Sequence, residues 1–145
     1  MKFKKVTSKN IDILYKLNKQ LAIDENQKYL FTADKKEYKK AFLSNFPIVF
    51  GILIYKKNKP IGFIIYIKKF ATYLAKEVLF IEDIYLPPKH QSKKNIKKIF
   101  KFINNLNYIR IELRVLKNYN LNKKLLKKLG FKKIKKWNTY RKEKT

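Results

Sequence analysis

Two adjacent acids, Glu82 and Asp83, interrupt the otherwise nearly apolar run "EVLFIEDIYL". Carboxylates in such surroundings take up protons or receive cations, and in a lysine-rich chain they also pair with a neighbouring ammonium group on a sheet face. The residues alone leave both readings open. Directly after them comes "PPKHQSKKNIKKIF", a Pro-rich turn running into a helix start. Strand, turn and helix N-terminus in that order suit a phosphate-bearing ligand, because the first N–H groups of a helix lack partners and its dipole favours anions. This loop has no glycine, since Gly51, Gly62 and Gly130 all lie elsewhere. Lys93, Lys94 and Lys97 offer point charges to a phosphate in place of close backbone approach.

Composition removes other chemistries. Without cysteine the chain has no disulfide, thiolate metal site or cysteine nucleophile, and its single histidine, His90, excludes a multi-histidine metal centre and a serine triad. His90 reads as an exposed turn residue.

The elements that must hold these residues follow from periodicity. Ile11, Leu14, Leu17 and Leu21 are spaced for one helix face over residues 8–22, with Thr7 or Ser8 as cap. "TADKKEYKKAFL" predicts a second helix with Thr32 as cap and Tyr38 and Phe42 inward. Runs at 48–55 and 61–70 joined by "KKNK" read as an antiparallel hairpin, and 77–86 as the next strand. A helix follows Pro88, with Ile96, Ile99, Phe100, Ile103 and Leu106 on one side and lysines on the other. "YIRIELRVL" alternates as a strand with one wet face. Leu121, Leu125, Leu126 and Leu129 form a last helix stripe ending at Gly130, and a closing strand is expected near 134–141. A short first strand at 2–6 completes the order.

At 145 residues with 46% hydrophobic content the chain reads as one domain, 1–145, able to bury a core. The N-terminus lacks an apolar signal region and no run is long enough to span a bilayer, so a cytoplasmic location is expected. The formal charge is +27, concentrated after residue 88, where 20 Lys/Arg face 2 Asp/Glu. Such a field attracts polyanions. An AT-rich coding sequence would also write 34 lysines among 37 basic residues, so the charge by itself decides nothing.

The order of elements, with "KQLAIDE", "PIGFIIY", "LFIEDIYL", "IEDIYLPPKHQSKKNIKKI" and "VLKNYNLNKKLLKKLGF" in sequence, resembles the GNAT family of N-acetyltransferases, closest to the diamine/spermidine acetyltransferase subgroup. The resemblance covers essentially the whole chain. It implies an α/β (α+β) GNAT fold: a mixed, mostly antiparallel central sheet with flanking helices and a splayed pair of central strands that admits acetyl-CoA. It further implies that main-chain N–H groups at Ile84, Tyr85 and Leu86 hold the thioester and pantetheine. Glu82 and Asp83 would receive a cationic amine and remove its proton through water, with Tyr85, Tyr119 or water in place of the subgroup's proton donor. Gln91, Ser92, Lys93, Lys94, Asn95, Ile96 and Lys97 would form the pyrophosphate loop. Lys94 and Ile96 stand where the family has small residues, so an Ile96 side chain in the ligand path would misplace the thioester. Leu126 stands where the subgroup has a proton-donating tyrosine, Leu125 replaces an aromatic, and Tyr119 an asparagine.

The resemblance implies acetyl transfer to a small-molecule amine, polyamine-like, or to an amine on an acidic macromolecule such as aminoacyl-RNA, and a homodimer as an option. The alternative is a catalytically degenerate protein that binds nucleic acid or a ribonucleoprotein through its lysine-rich C-terminal half, with Phe131, Trp137 and Tyr140 available for stacking. A third reading lays the lysine-faced helices on an anionic membrane surface.

Overall fold

The computed structural model describes residues 1–115, 123–136 and 138–143. Its chain order is β1 (Lys2–Lys5), α1 (Ile11–Asp24), α2 (Lys35–Leu43), β2 (Phe50–Lys56), β3 (Lys59–Ala71), β4 (Lys76–Tyr85), α3 (Lys93–Asn104), β5 (Ile111–Leu113) and α4 (Lys123–Lys128). The five strands form one open sheet in the order β1-β2-β3-β4-β5. Every pair is antiparallel except β4 with β5, which α3 joins by a crossover. This is the mixed, mostly antiparallel sheet with flanking helices that the sequence predicts.

Local chemistry explains the boundaries. α2 starts at Asp34 rather than Thr32, because the Asp34 carboxylate accepts from the N–H groups of Lys36 at 2.8 Å and Glu37 at 2.9 Å. Asp34→Ala is expected to lower stability by about 1 kcal/mol, visible as a small drop in melting temperature. α1 begins later than residue 8, at Ile11, where the Asn10 side chain accepts from Thr7 N–H at 2.7 Å and closes the entry turn. Lys57 and Asn58 both have positive φ and link β2 to β3 as a two-residue turn matched to the strand twist.

The sheet carries a core on each face. On one side Ile52, Ile54, Ile64, Leu79 and Ile81 meet Ile99, Phe100 and Ile103 of α3. On the other, Leu53, Phe63, Ile65 and Tyr85 meet Ile11, Leu14 and Leu21 of α1. Leu126 and Leu129 add to the α3 side, as their spacing implies. α4 closes as expected at Gly130: with φ +89° there, Phe131 N–H returns to Leu126 O at 3.0 Å and Gly130 N–H to Lys127 O at 3.1 Å.

Two expectations change. Among the described residues of 108–116, only Ile111–Leu113 form the strand β5. No strand forms among the described residues of 134–141. Ile134 and Tyr140 are exposed there, and four lysines in 132–136 leave no apolar face to pair. Tyr119, Leu121, Trp137 and the Leu125 side chain lie outside the described residues. No helix among the described residues is long and apolar enough to cross a membrane.

Candidate active site

One irregularity builds the site. β3 and β4 pair Ile65 with Asp83 and Tyr66 with Ile81, leaving Glu82 as an extra residue on β4. A bulge of this kind bends the strand and increases its twist. The parallel ladder to β5 stops at Ile81↔Leu113, just before the bulge, while β4 runs on to Tyr85. The ladder thus ends at the last residue of β5, and residues 82–86 of the chain continue past it.

The bulge also reassigns faces. Leu79 and Ile81 belong to the α3-side core, and strict alternation would put Asp83 and Tyr85 there too. The extra residue carries them to the α1 side, where Tyr85 packs with Phe63 and Leu14. Asp83 thus opens into a cavity of about 180 Å³, lined among others by Asn18, Leu21, Glu25 and Gln27 from the end of α1 and by Phe31.

Burial pushes the Asp83 carboxyl up to about 6, helped by the adjacent Glu82 charge and opposed by Arg114. Glu25 is also raised, first by burial and then by Asp83. Two carboxyl groups therefore line one small pocket, and the Asp83 charge makes Glu25 harder to ionise. Asn18 donates to the Tyr38 hydroxyl at 3.1 Å, which fixes it at the pocket wall.

Glu82 and Asp83, expected to work as a pair, are separated. Glu82 stands just past the end of the β4–β5 ladder and binds Arg114 at 3.0 Å, the guanidinium lying over the Phe80 ring. Tyr85 donates its hydroxyl to Asp24 Oδ2 at 2.7 Å, tying β4 to the end of α1. Ile84 packs on the α3-side core and Leu86 is buried in it.

The loop before α3 is self-organised. Gln91 donates its side-chain amide to Leu86 O at 2.7 Å, Ser92 caps α3 by accepting from Asn95 N–H at 3.2 Å, and Asn95 donates to His90 O at 2.9 Å. Three residues expected at the pyrophosphate thus shape the turn that would receive it. Ile96 packs against the core instead of standing in the ligand path. Lys93, Lys94 and Lys97 are exposed around the helix start. His90 is partly exposed in a single 3-10 turn, its pKa lowered by desolvation and by Lys56 and Lys89.

Residues 12–131 match the acetyltransferase (GNAT) family. The chain belongs to that family. Among curated proteins no sequence matches this GNAT chain significantly. Its fold is shared by a possible acetyltransferase from Clostridium difficile 630, at 18% identity and TM-score 0.79, covering 99% of this chain and 97% of that one. It is shared too by an aminoglycoside acetyltransferase from an uncultured soil metagenomic sample, solved with sisomicin, at 14% identity, TM-score 0.75 and coverage of 99% and 96%. AAC(6')-Iy, solved with the bisubstrate analogue CoA-S-monomethyl-acetylneamine, matches at 15% identity, TM-score 0.69 and coverage of 98% and 97%.

GNAT proteins use acetyl-CoA, and the residues present fit it. The β4–β5 ladder ends at Ile81, Ile96 is folded inward, and three lysines ring the start of α3. Phe131, one of the aromatics considered for stacking on nucleic acid, instead packs edge-on against Phe100 with ring centroids 5.3 Å apart.

Sequence reading overlooked Asp24, Glu25, Asn18 and Arg114. The two acids end α1 with no basic residue in its last turn. Negative charge at a helix C-terminus opposes the dipole, and that mismatch was the available signal.

Proposed function

We propose that this GNAT protein transfers acetyl from acetyl-CoA to a primary amine of a small polycation, in the manner of the diamine/spermidine acetyltransferases. One observation carries the reading: Asp83 and Glu25 converge in a single pocket beside the bulged end of β4. Sisomicin, held by the soil-metagenome relative, is itself a multiply charged amine. An amine on an acidic macromolecule suits the outer field of the chain, but the pocket is small and locally acidic. A formal charge of +27 does not bar a cation from it, because screening over about 8 Å at physiological salt lets nearby carboxylates decide.

An alkylammonium has a pKa near 10 and must lose a proton before its nitrogen can attack. Asp83, at about 6, is ionised at neutral pH yet basic enough to accept that proton through water, while Glu25 holds the remaining positive charge. Bound acetyl-CoA supplies the activated acyl group. Main-chain N–H groups of Ile84 to Leu86 would stabilise negative charge developing on the acyl oxygen, and Lys93, Lys94 and Lys97 would hold the phosphates. Leu126 has no proton to give and Tyr85 is bonded to Asp24, so solvent completes the proton balance.

The test is thermal unfolding with millimolar acetyl-CoA, followed by product formation with a panel of polyamines across pH. Stabilisation of several degrees is expected. The rate should rise about tenfold per pH unit below 6 and level above it, because ionised Asp83 is the active form. No stabilisation and no acetylated amine would end the reading.

A further inference from the structure

β3 and β4 extend beyond the rest of the sheet. β2 begins at Phe50, opposite Tyr66, and β5 pairs with β4 only from Leu79 onward, so residues 69–71 of β3 and 76–78 of β4 pair only with each other and form a short projecting two-stranded finger. Its tip is apolar yet exposed: Tyr73 is 99% accessible, Phe70 64% and Leu74 45%. The loop leading into β2 lies at the same end of the sheet and exposes Phe46 and Ile48, at 89% and 76%. Five large exposed apolar side chains thus lie at one end of the sheet, whereas others, such as Tyr29 and Ile109, are exposed elsewhere on the chain. A cluster of this kind marks a docking surface.

The base of the finger is cationic. Lys68, Lys69 and Lys76 flank the tip against a single acid there, Glu77. Lys68 pairs with Glu77 at 3.5 Å and Lys69 with Glu112 at 3.0 Å, but these ammonium groups remain about half exposed, and the chain around them carries +27. An apolar, aromatic tip within a lysine collar matches the layering of an anionic bilayer surface. Phenylalanine, tyrosine and leucine sit at the headgroup boundary while lysines remain among the phosphates.

We propose that the β3–β4 finger docks this protein on an anionic lipid membrane, by shallow insertion of Phe70, Tyr73 and Leu74 beneath a ring of lysine–headgroup contacts. A second copy of the chain is a poorer occupant, since two fingers meeting would bring like-charged collars together. Nucleic acid answers the charge but not the tip, because Leu74 and Ile48 have no ring face on which a base stacks. The proposal is independent of the acetyl-transfer reading. From Lys76 at the finger to Asp83 at the pocket β4 advances seven residues, so the pocket lies roughly 20 Å from the lipid and remains open to solvent when the finger is docked.

The test is co-sedimentation of the whole protein with vesicles of phosphatidylcholine alone or mixed with phosphatidylglycerol, at low and at 0.5 M salt. Simple attraction of lysines to lipid disappears at high salt, whereas insertion leaves a residue of binding. The combined change Phe70→Ser, Tyr73→Ser and Leu74→Ser should lower partitioning onto the mixed vesicles by at least about tenfold, with the melting temperature unchanged because all three side chains are exposed. In a separate protein, Tyr73→Trp should add an indole whose emission moves to the blue on those vesicles and is quenched by brominated acyl chains, relative to the wild type. Three results would overturn the proposal: equal partitioning of the triple variant, an added indole that stays in water, or loss in the triple variant of wild-type dimerisation or RNA binding with no vesicle binding in either protein.

Discussion

Asp83→Asn is expected to cut acetyl transfer to a polyamine by about 10²- to 10⁴-fold at neutral pH, since it removes the proton acceptor while keeping the side chain's shape. The same change should make the protein more stable. Burial and Glu82 hold the Asp83 carboxyl at about 6, above its ordinary 3.8, so the folded chain binds a proton there more tightly than the unfolded chain does. That contribution to stability is complete below 3.8 and is lost as pH rises through 6. At pH 7 and above the wild type therefore carries an ionised group in a poorly solvated place, at a penalty of roughly 2 kcal/mol. Asparagine carries no charge and escapes it. Melting curves of the two proteins should differ little near pH 4, with the variant ahead by several degrees at pH 8. An Asp83→Asn protein that is inactive and also less stable at pH 8 would show that Asp83 is a structural residue with a favourable partner.

Gly62→Ala carries the largest expected effect on folding. A Cβ at this position would meet the carbonyl oxygen of Tyr85 closer than real Cβ contacts come, with Leu86 Cδ2 at 3.3 Å behind it. The obstacle is backbone, so no side-chain rotation relieves it. Either β3 or the end of β4 must shift, for about 3 kcal/mol and a fall in melting temperature of roughly 10 °C. The end of β4 is also the edge proposed to receive acetyl-CoA, so on that proposal the variant should gain less thermal stability from the ligand than the wild type does. A melting temperature within a degree or two of the wild type would mean that the β3–β4 contact is looser than the structure shows.

The sheet and helices were legible because their apolar periods are long and unambiguous, as at Ile11, Leu14 and Leu21 or along Ile99, Phe100 and Ile103. The acidic pair stood out in the sequence, but its two separate fates did not. Counting in twos from Leu79 and Ile81 sends Asp83 to the α3 side, and only the unpaired Glu82 reverses that. Gln91 and Ile96 show the complementary limit. Both fall at loop positions where a ligand belongs, yet the first binds Leu86 O and the second the core, because a loop without glycine must supply its own internal contacts. Capping residues were missed by two positions at Asp34, where Thr32 is an equally good capping type and only the chain's path decides.

The unpaired residue at Glu82 has one more implication, for the length of the gene. Dropping that single codon would let the β3–β4 ladder close without moving any neighbouring side chain to the opposite layer, so the core would stay intact. What would vanish is the bend in β4. An in-frame loss of three bases thus separates a regular β4 from a bulged one, and it would leave almost no trace in hydrophobic pattern or composition.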